Sequence, residues 1–343
     1  MQKITVLGAG SWGTALSMLL ASKGYKVTLW GREEDGIEDI KKHRINEKFL
    51  PSISILENIY PTTSREEAIT NSDLLVIAVP SQAVREVIED FKHYINNNIY
   101  IVNTSKGIEI TTQMRMSQVI KDVIGEKILE RYGVLSGPSH AEEVIKNIPT
   151  AVTVAAYKKE TAFLLQSVFM STSFRVYTNP DVAGVELGGA LKNIVALATG
   201  MSRGLGFGDN TTAALMTRGL TEVVRMGIAL GADPRTFAGL SGIGDLIVTC
   251  NSNYSRNNRA GNLLGQGKSL EETLESIGMV VEGIHTTRVV YKIAQDLNIE
   301  MPITTACYNI IYNNKNPKEE VENLMQRRKK HEIEEIVNNI DSW

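Results

Sequence analysis

Lys192 stands in "VELGGALKNIVALATG" with no polar face to occupy. On a helical wheel it shares its side with Val185, Gly188, Gly189, Ala196 and Thr199, while Leu187, Leu191, Ile194 and Ala198 crowd the rest. A helix that is apolar nearly all round belongs in an interior. Burying a lysine is costly unless it is paired or loses its charge, and a lowered pKa is what a proton-transferring lysine needs. Gly188 and Gly189, one turn earlier, leave space beside the ammonium for a small ligand; the plainer alternative is a lysine that snorkels out at a helix edge. Lys106 in "YIVNTSKGIE" follows a strand, where α/β sheets bind ligands, and Asp245 in "LSGIGDLIVTC" is an acid among glycines and apolar residues. Each alone also reads as a surface charge. Together they supply an acid–base lysine, a second cation and a carboxylate to orient one of them. Ser255, Arg256, Asn257 and Asn258 in "NYSRNNRAGN" gather hydroxyl, guanidinium and amide groups at one backbone turn, a set suited to a phosphate monoester, or else a solvated polar turn.

A second constellation lies at the start of the chain. "ITVLGAGSWGTAL" places Gly8, Gly10 and Gly13 in a G-x-G-x-x-G pattern between an apolar strand and a helix. Gly8 permits the tight turn, Gly10 lets the backbone approach a pyrophosphate, and Gly13 allows close helix–strand packing, with the phosphates on the helix N-terminus. The next strand, "KVTLW", ends where an acid normally takes the ribose 2′-hydroxyl, but the chain continues "GREED". Gly31 has no side chain to repel a 2′-phosphate and Arg32 can neutralise one, so NADP(H) is favoured over NAD(H), although Glu33 or Glu34 can still swing onto a ribose. Pro80, ending "DLLVIAVP", marks another strand edge where such a cofactor lies, or simply a strand end.

These residues need a scaffold, and the pattern predicts one. "ITVLG", "KVTLW", "DLLVIAVP", "YIVNTS", "YGVLSG" and "AVTVAA" read as strands buried on both faces, alternating with amphipathic segments such as "SQAVREVIEDFKHYI". That order predicts an α/β, Rossmann-type dinucleotide-binding domain over residues 1–178, with a mostly parallel sheet. After Asn179–Pro180 the texture is helical throughout, predicting an all-helical substrate and catalytic domain over 179–343. The tail from Asn316 reads as an amphipathic helix with a solvated charged face.

At 343 residues, two domains are expected, and 43% hydrophobic with 22% charged residues is ordinary for a globular chain. A net charge of -3 gives no reason to expect nucleic acid or an anionic membrane, and interleaved aromatics for single-stranded nucleic acid are missing. The start breaks at glycine too early for a signal peptide, and apolar runs are interrupted before ~18 residues, so no spanning segment is expected. Cys250 and Cys307 stand in unrelated contexts, so neither a disulfide framework nor a metal site is expected, and the cytoplasm is the expected compartment.

Taken together, the chain resembles the bacterial type of NAD(P)-dependent glycerol-3-phosphate dehydrogenase. The similarity runs in order through "GAGSWGTALS", "NTSKGIE", "SGPSHAEEV", "ELGGALKNIVAL", "GLSGIGDLIVTC", "YSRNNRAGNLLGQG", "VVEGIHTTRVVY" and "MPITTACYNIIY". The resemblance implies interconversion of dihydroxyacetone phosphate and sn-glycerol 3-phosphate with NAD(P)H, serving phospholipid synthesis, in a homodimer whose active site lies between the two domains. It implies that Lys192 transfers the proton and that Lys106, Gly137, Ser139, Asp245, Ser255, Arg256 and Asn257 surround the substrate. It places the cofactor against Ser11, Trp12, Arg32, Lys106, Ala141, Arg256, Val280 and Glu282. His140, beside the substrate loop, is expected in a supporting role, and His285 in none. A different dehydrogenase on the same plan would not need "YSRNN" beside "GIGD", and a redox sensor would not need the buried lysine and its carboxylate.

Overall fold

The computed structural model describes residues 2–96 and 98–329. Strands β1 (Lys3–Leu7), β2 (Lys26–Trp30), β3 (Ile45–Asn46), β4 (Leu50–Ser54), β5 (Ile59–Thr62), β6 (Leu74–Ile77), β7 (Tyr100–Asn103), β8 (Tyr132–Ser136), β9 (Thr150–Ala156) and β10 (Phe174–Asn179) alternate with helices α1 (Ser11–Ser22), α2 (Ile37–His43), α3 (Arg65–Ile69), α4 (Val84–Phe91), α5 (Met116–Ile124), α6 (Ala141–Val144) and α7 (Lys159–Phe169). Eight of them form one sheet in the order β5, β2, β1, β6, β7, β8, β9, β10, while β3 and β4 pair separately. The order reverses between β1 and β6, which opens the crevice where such sheets hold dinucleotides. Ile4, Val6, Leu74, Val76 and Val102 are buried on one face of the sheet and Leu7, Leu75, Ile77 and Ile101 on the other, as expected of strands covered by helices.

The sheet departs from the sequence expectation at its edges. β5 carries Pro61, which masks it as a strand but is tolerated because nothing pairs beyond it. β10, at the other edge, alternates buried Phe174 and Val176 with exposed Arg175 and Tyr177. β9 runs antiparallel to β8, and β10 runs parallel to β9. The chain therefore leaves β10 at the amino-terminal edge of the parallel strands and must climb back.

Helices follow without further strands among the described residues: α8 (Val182–Gly204), α9 (Asp209–Ala229), α10 (Asp245–Asn251), α11 (Arg256–Gly265), α12 (Leu270–Ile277), α13 (Glu282–Asp296), α14 (Pro302–Tyr312) and α15 (Pro317–Met325). α8 makes the climb. Near its start, Glu186 accepts from Tyr132 Oη at 2.7 Å, at the beginning of β8; one turn later, Gly189 lies against Ser136 at the end of that strand. Glu186 also accepts from Arg115 Nη1 at 2.6 Å and from the Ser117 N–H and hydroxyl at 2.7 and 2.8 Å, so a buried carboxylate pins α8 to the sheet and to α5. The rest of α8 is the spine of the helical core, with Leu191, Ile194 and Leu197 packed among Met226, Phe237 and Val290.

α8 is long and apolar enough to cross a membrane by length and composition, although Glu186 and Lys192 interrupt its apolar run. Its residues lie inside the molecule, where a core helix needs the same composition. α15 covers the first part of the expected terminal helix, and residues 330–343 lie outside the described residues.

Candidate active site

α8 delivers Lys192 beyond the carboxyl edge of the sheet, and there it meets Asp245. Asp245 is 1% exposed and gives one carboxylate oxygen to each of two lysines: Lys192 Nζ donates to Oδ1 at 2.5 Å and Lys106 Nζ to Oδ2 at 2.7 Å. Lys106, fixed just past β7, also donates to the Gly137 carbonyl at 3.1 Å, and Lys192 donates to Thr249 Oγ1 at 2.6 Å. Asp245 begins α10 after a single π-helical turn, Leu240–Gly244, a local distortion frequent at functional sites. Sequence reasoning missed Thr249; its signal was the i, i+4 spacing from Asp245, which puts both on one helix face.

The charges are unequal. Two ammoniums share one carboxylate, leaving a net positive corner. Burial would raise the Asp245 pKa, but Lys106 and Lys192 outweigh it and hold the carboxyl below its usual value. Burial lowers Lys192 to about 8, with Lys106 adding to the effect and Asp245 opposing it. An ammonium poised there can release and regain a proton near neutral pH.

The loop after β8 forms another wall. Gly137 has φ +140, and a Cβ there would lie 2.9 Å from Val152 Cα, so the carbonyl that holds Lys106 depends on glycine. Ser139 Oγ donates to the same carbonyl at 2.9 Å. His140 packs its ring 5.8 Å from that of Tyr254, and its Nε2 is buried without a hydrogen-bond partner. Burial, then the ammoniums of Lys192 and Lys106, push its pKa down to about 4, so the ring is neutral. Ala141 packs with Ala15 and Leu50 beneath Trp12.

The polar turn before α11 divides its labour. Ser255 Oγ caps the helix, accepting the Asn258 N–H at 3.2 Å. Asn258, read from the sequence as part of a phosphate-facing group, is instead buried, donating to the Cys250 carbonyl at 2.9 Å and to Thr199 Oγ1 at 3.2 Å. Asn257 donates to Asn193 Oδ1 at 2.9 Å and accepts from the Gly283 N–H at 2.8 Å, tying α11 to α8 and α13. Arg256 stays exposed, with one donor on the Val280 carbonyl at 3.0 Å.

Two glycine readings need correction. A Cβ on Gly188 would lie 2.4 Å from the Ser241 carbonyl oxygen, and one on Gly189 would lie 2.7 Å from Ser136 Oγ. These glycines let α8 approach its neighbours; they do not leave room for a ligand. A Cβ on Gly31 would lie 2.8 Å from both Ala9 and Ile37, so Gly31 is glycine for packing.

At the crevice between β1 and β6, Gly8 has φ +112, and a Cβ on Gly13 would lie 1.9 Å from the Gly8 carbonyl oxygen. Gly10 faces open space and begins α1 without a side-chain cap or an acid in the first turn, leaving amide N–H groups and the dipole to a phosphate. The residues thus fit a dinucleotide. Ser11 Oγ donates to the Phe49 carbonyl at 3.0 Å beside this turn. Across the cleft, Glu282 at the start of α13 accepts from the Ser81 N–H at 2.8 Å and from its hydroxyl at 2.5 Å, while Val280 just before it is exposed. Arg32 Nη2 donates to Glu86 Oε1 at 2.9 Å.

Family models for the N-terminus and the C-terminus of NAD-dependent glycerol-3-phosphate dehydrogenase match residues 3–162 and 181–322 in turn. The chain belongs to the NAD-dependent glycerol-3-phosphate dehydrogenase family. A glycerol-3-phosphate dehydrogenase [NAD(P)+] of Syntrophomonas wolfei is 60% identical over 343 residues, covering 100% of both chains. One from a Thermoanaerobacter species is 54% identical over 334 residues, 97% of this chain and 100% of its own. The crystal structure of glycerol-3-phosphate dehydrogenase from Coxiella burnetii superposes with a TM-score of 0.91 at 38% identity, covering 95% of this chain and 99% of its own. The chain is thus an oxidoreductase of this family, with a Rossmann-type domain and a helical one.

Proposed function

We propose that this chain reversibly reduces dihydroxyacetone phosphate to sn-glycerol 3-phosphate with NAD(P)H. The observation that carries the reading is the carboxylate of Asp245 shared by Lys192 and Lys106 at the carboxyl edge of a dinucleotide-binding sheet. Bound NAD(P)H supplies the hydride for the ketone carbon. Lys192 donates a proton from Nζ to the oxygen that becomes the hydroxyl, and as a neutral amine it takes that proton back in the reverse direction. Asp245 holds the amine in position, and Lys106 stands beside the developing alkoxide. Arg256 and Asn257, at the N-terminus that Ser255 caps, grip the phosphate, whose binding energy orients the carbonyl. Gly137 and Ser139 line the substrate from the loop after β8.

Gly8, Gly10 and Gly13, with Ser11, Trp12 and Ala141, would hold the cofactor, and Arg256, Val280 and Glu282 would meet it from across the cleft. NADPH is the preferred form. With Gly31 required for packing, Arg32 alone supports that preference. The division at residues 178 and 179 assigns the cofactor to the first domain and Lys192 to the second. The enzyme works as a cytoplasmic homodimer that supplies glycerophospholipid synthesis. Initial rates of NADPH and NADH oxidation with dihydroxyacetone phosphate test the reaction. Oxidation of either cofactor upholds it; binding of both without turnover sinks it.

A further inference from the structure

β2 ends without an acid, yet a carboxylate reaches the same point from another element. Glu86 sits in the first turn of α4, which follows β6 on the far side of the crevice from β2. Its Oε1 accepts from Arg32 Nη2 at 2.9 Å, and Glu34 Oε1 lies 3.8 Å from the other terminal nitrogen of Arg32. The Asp35 carboxylate accepts the Arg32 backbone N–H at 3.0 Å. The Arg32 guanidinium therefore lies between the carboxylates of Glu86 and Glu34, with Asp35 on its backbone N–H, and Lys48 donates to the Glu34 carbonyl at 2.7 Å.

We propose that Glu86 is a specificity-determining residue: by holding the Arg32 guanidinium, it limits the advantage of the phosphorylated cofactor over NADH. This rests on the reading that Arg32 meets the adenosine ribose. A 2′-phosphate monoester brings close to two negative charges and needs the guanidinium fork, so it must draw Arg32 away from Glu86 or share it with a like charge. A 2′-hydroxyl is neutral and needs no cation, so it meets neither obstacle. Glu86 and Arg32 are 68% and 39% exposed along their side chains, so the pair is weak and screened by salt. The effect is consequently a change of several-fold, set by a residue outside the "GREED" segment where selectivity is ordinarily sought.

The test measures kcat/KM for NADPH and for NADH, with dihydroxyacetone phosphate saturating, in the wild type, Glu86→Gln, Arg32→Gln and the double variant. The ratio of the two cofactors on one protein cancels any loss of folded enzyme. Glu86→Gln should raise the NADPH-to-NADH ratio by about 3- to 10-fold at low salt and by less at high salt, and the gain should vanish in the Arg32→Gln background. If Arg32→Gln lowers the ratio but Glu86→Gln leaves it unchanged, the proposal is overturned while the reading of Arg32 stands. A gain that persists without Arg32 also overturns it, because Glu86 would then act on the phosphate directly. If Arg32→Gln weakens both cofactors equally, the ribose reading itself fails.

Discussion

Lys192 at about 8 has a sign that can be measured. Reduction consumes the ammonium, so kcat in that direction should hold below pH 8 and fall as pH rises through it, while oxidation should rise across the same interval. The groups facing Lys192 are Asp245 and Thr249 from α10, Cys250 beside them, Lys106 from the loop after β7, and His140 from the loop after β8. His140, at about 4, is neutral throughout and contributes no transition there. Lys192→Ala should lower turnover by roughly 10²–10⁴-fold and abolish the transition near 8. A pH profile that survives the substitution would move proton transfer to another group. Lys192 was legible in the sequence because a charge on a helix apolar nearly all round must be paired, neutralised or carried out to an edge, and each of these marks the residue. The sharing of Asp245 was not, because Lys106 and Asp245 are 139 residues apart and periodicity carries no information over that distance.

Glu186 fixes the lower turns of α8, the helix that places the lysine. Arg115 is 15% exposed along its side chain, so removing the carboxylate leaves a largely buried guanidinium unpaired. Glu186→Ala should cost about 3 kcal/mol or somewhat more in denaturant unfolding and should also slow turnover by shifting Lys192. An unchanged unfolding midpoint would mean that this network holds nothing. The role of the acid in "VELGG" is not legible locally, because its partners on α5 and β8 come from elsewhere in the chain. The interior strands were legible because burial on both faces writes continuous apolar runs. β5 was hidden by a proline that only an edge tolerates, and the reversal of β9 was hidden because an apolar run does not state its direction.

Across the molecule, Ser81 and Glu282 close the cleft from opposite sides, joining the loop after β6 to α13. Ser81→Ala removes the hydroxyl donor and keeps the backbone one. The KM for NAD(P)H should rise by roughly 3- to 10-fold, the scale of one typical net hydrogen bond, with a smaller change in kcat. An unchanged KM would make the joint irrelevant to cofactor binding. The change from α/β to helical texture near Asn179–Pro180 was visible in the chain, since β-rich runs simply stop. What texture could not reveal is that the first helix past that joint is held by the sheet through Tyr132 and by α5 through Arg115 and Ser117. This has a consequence for recombination among relatives. A chimera spliced at Asn179–Pro180 imports a donor's proton-transferring lysine but gauges its height against the host's β8, so parents that differ at residues 115–117 or 132–136 would yield hybrids with a weakened joint and a misplaced amine. A crossover in the turn between α8 and α9 keeps ruler and lysine together.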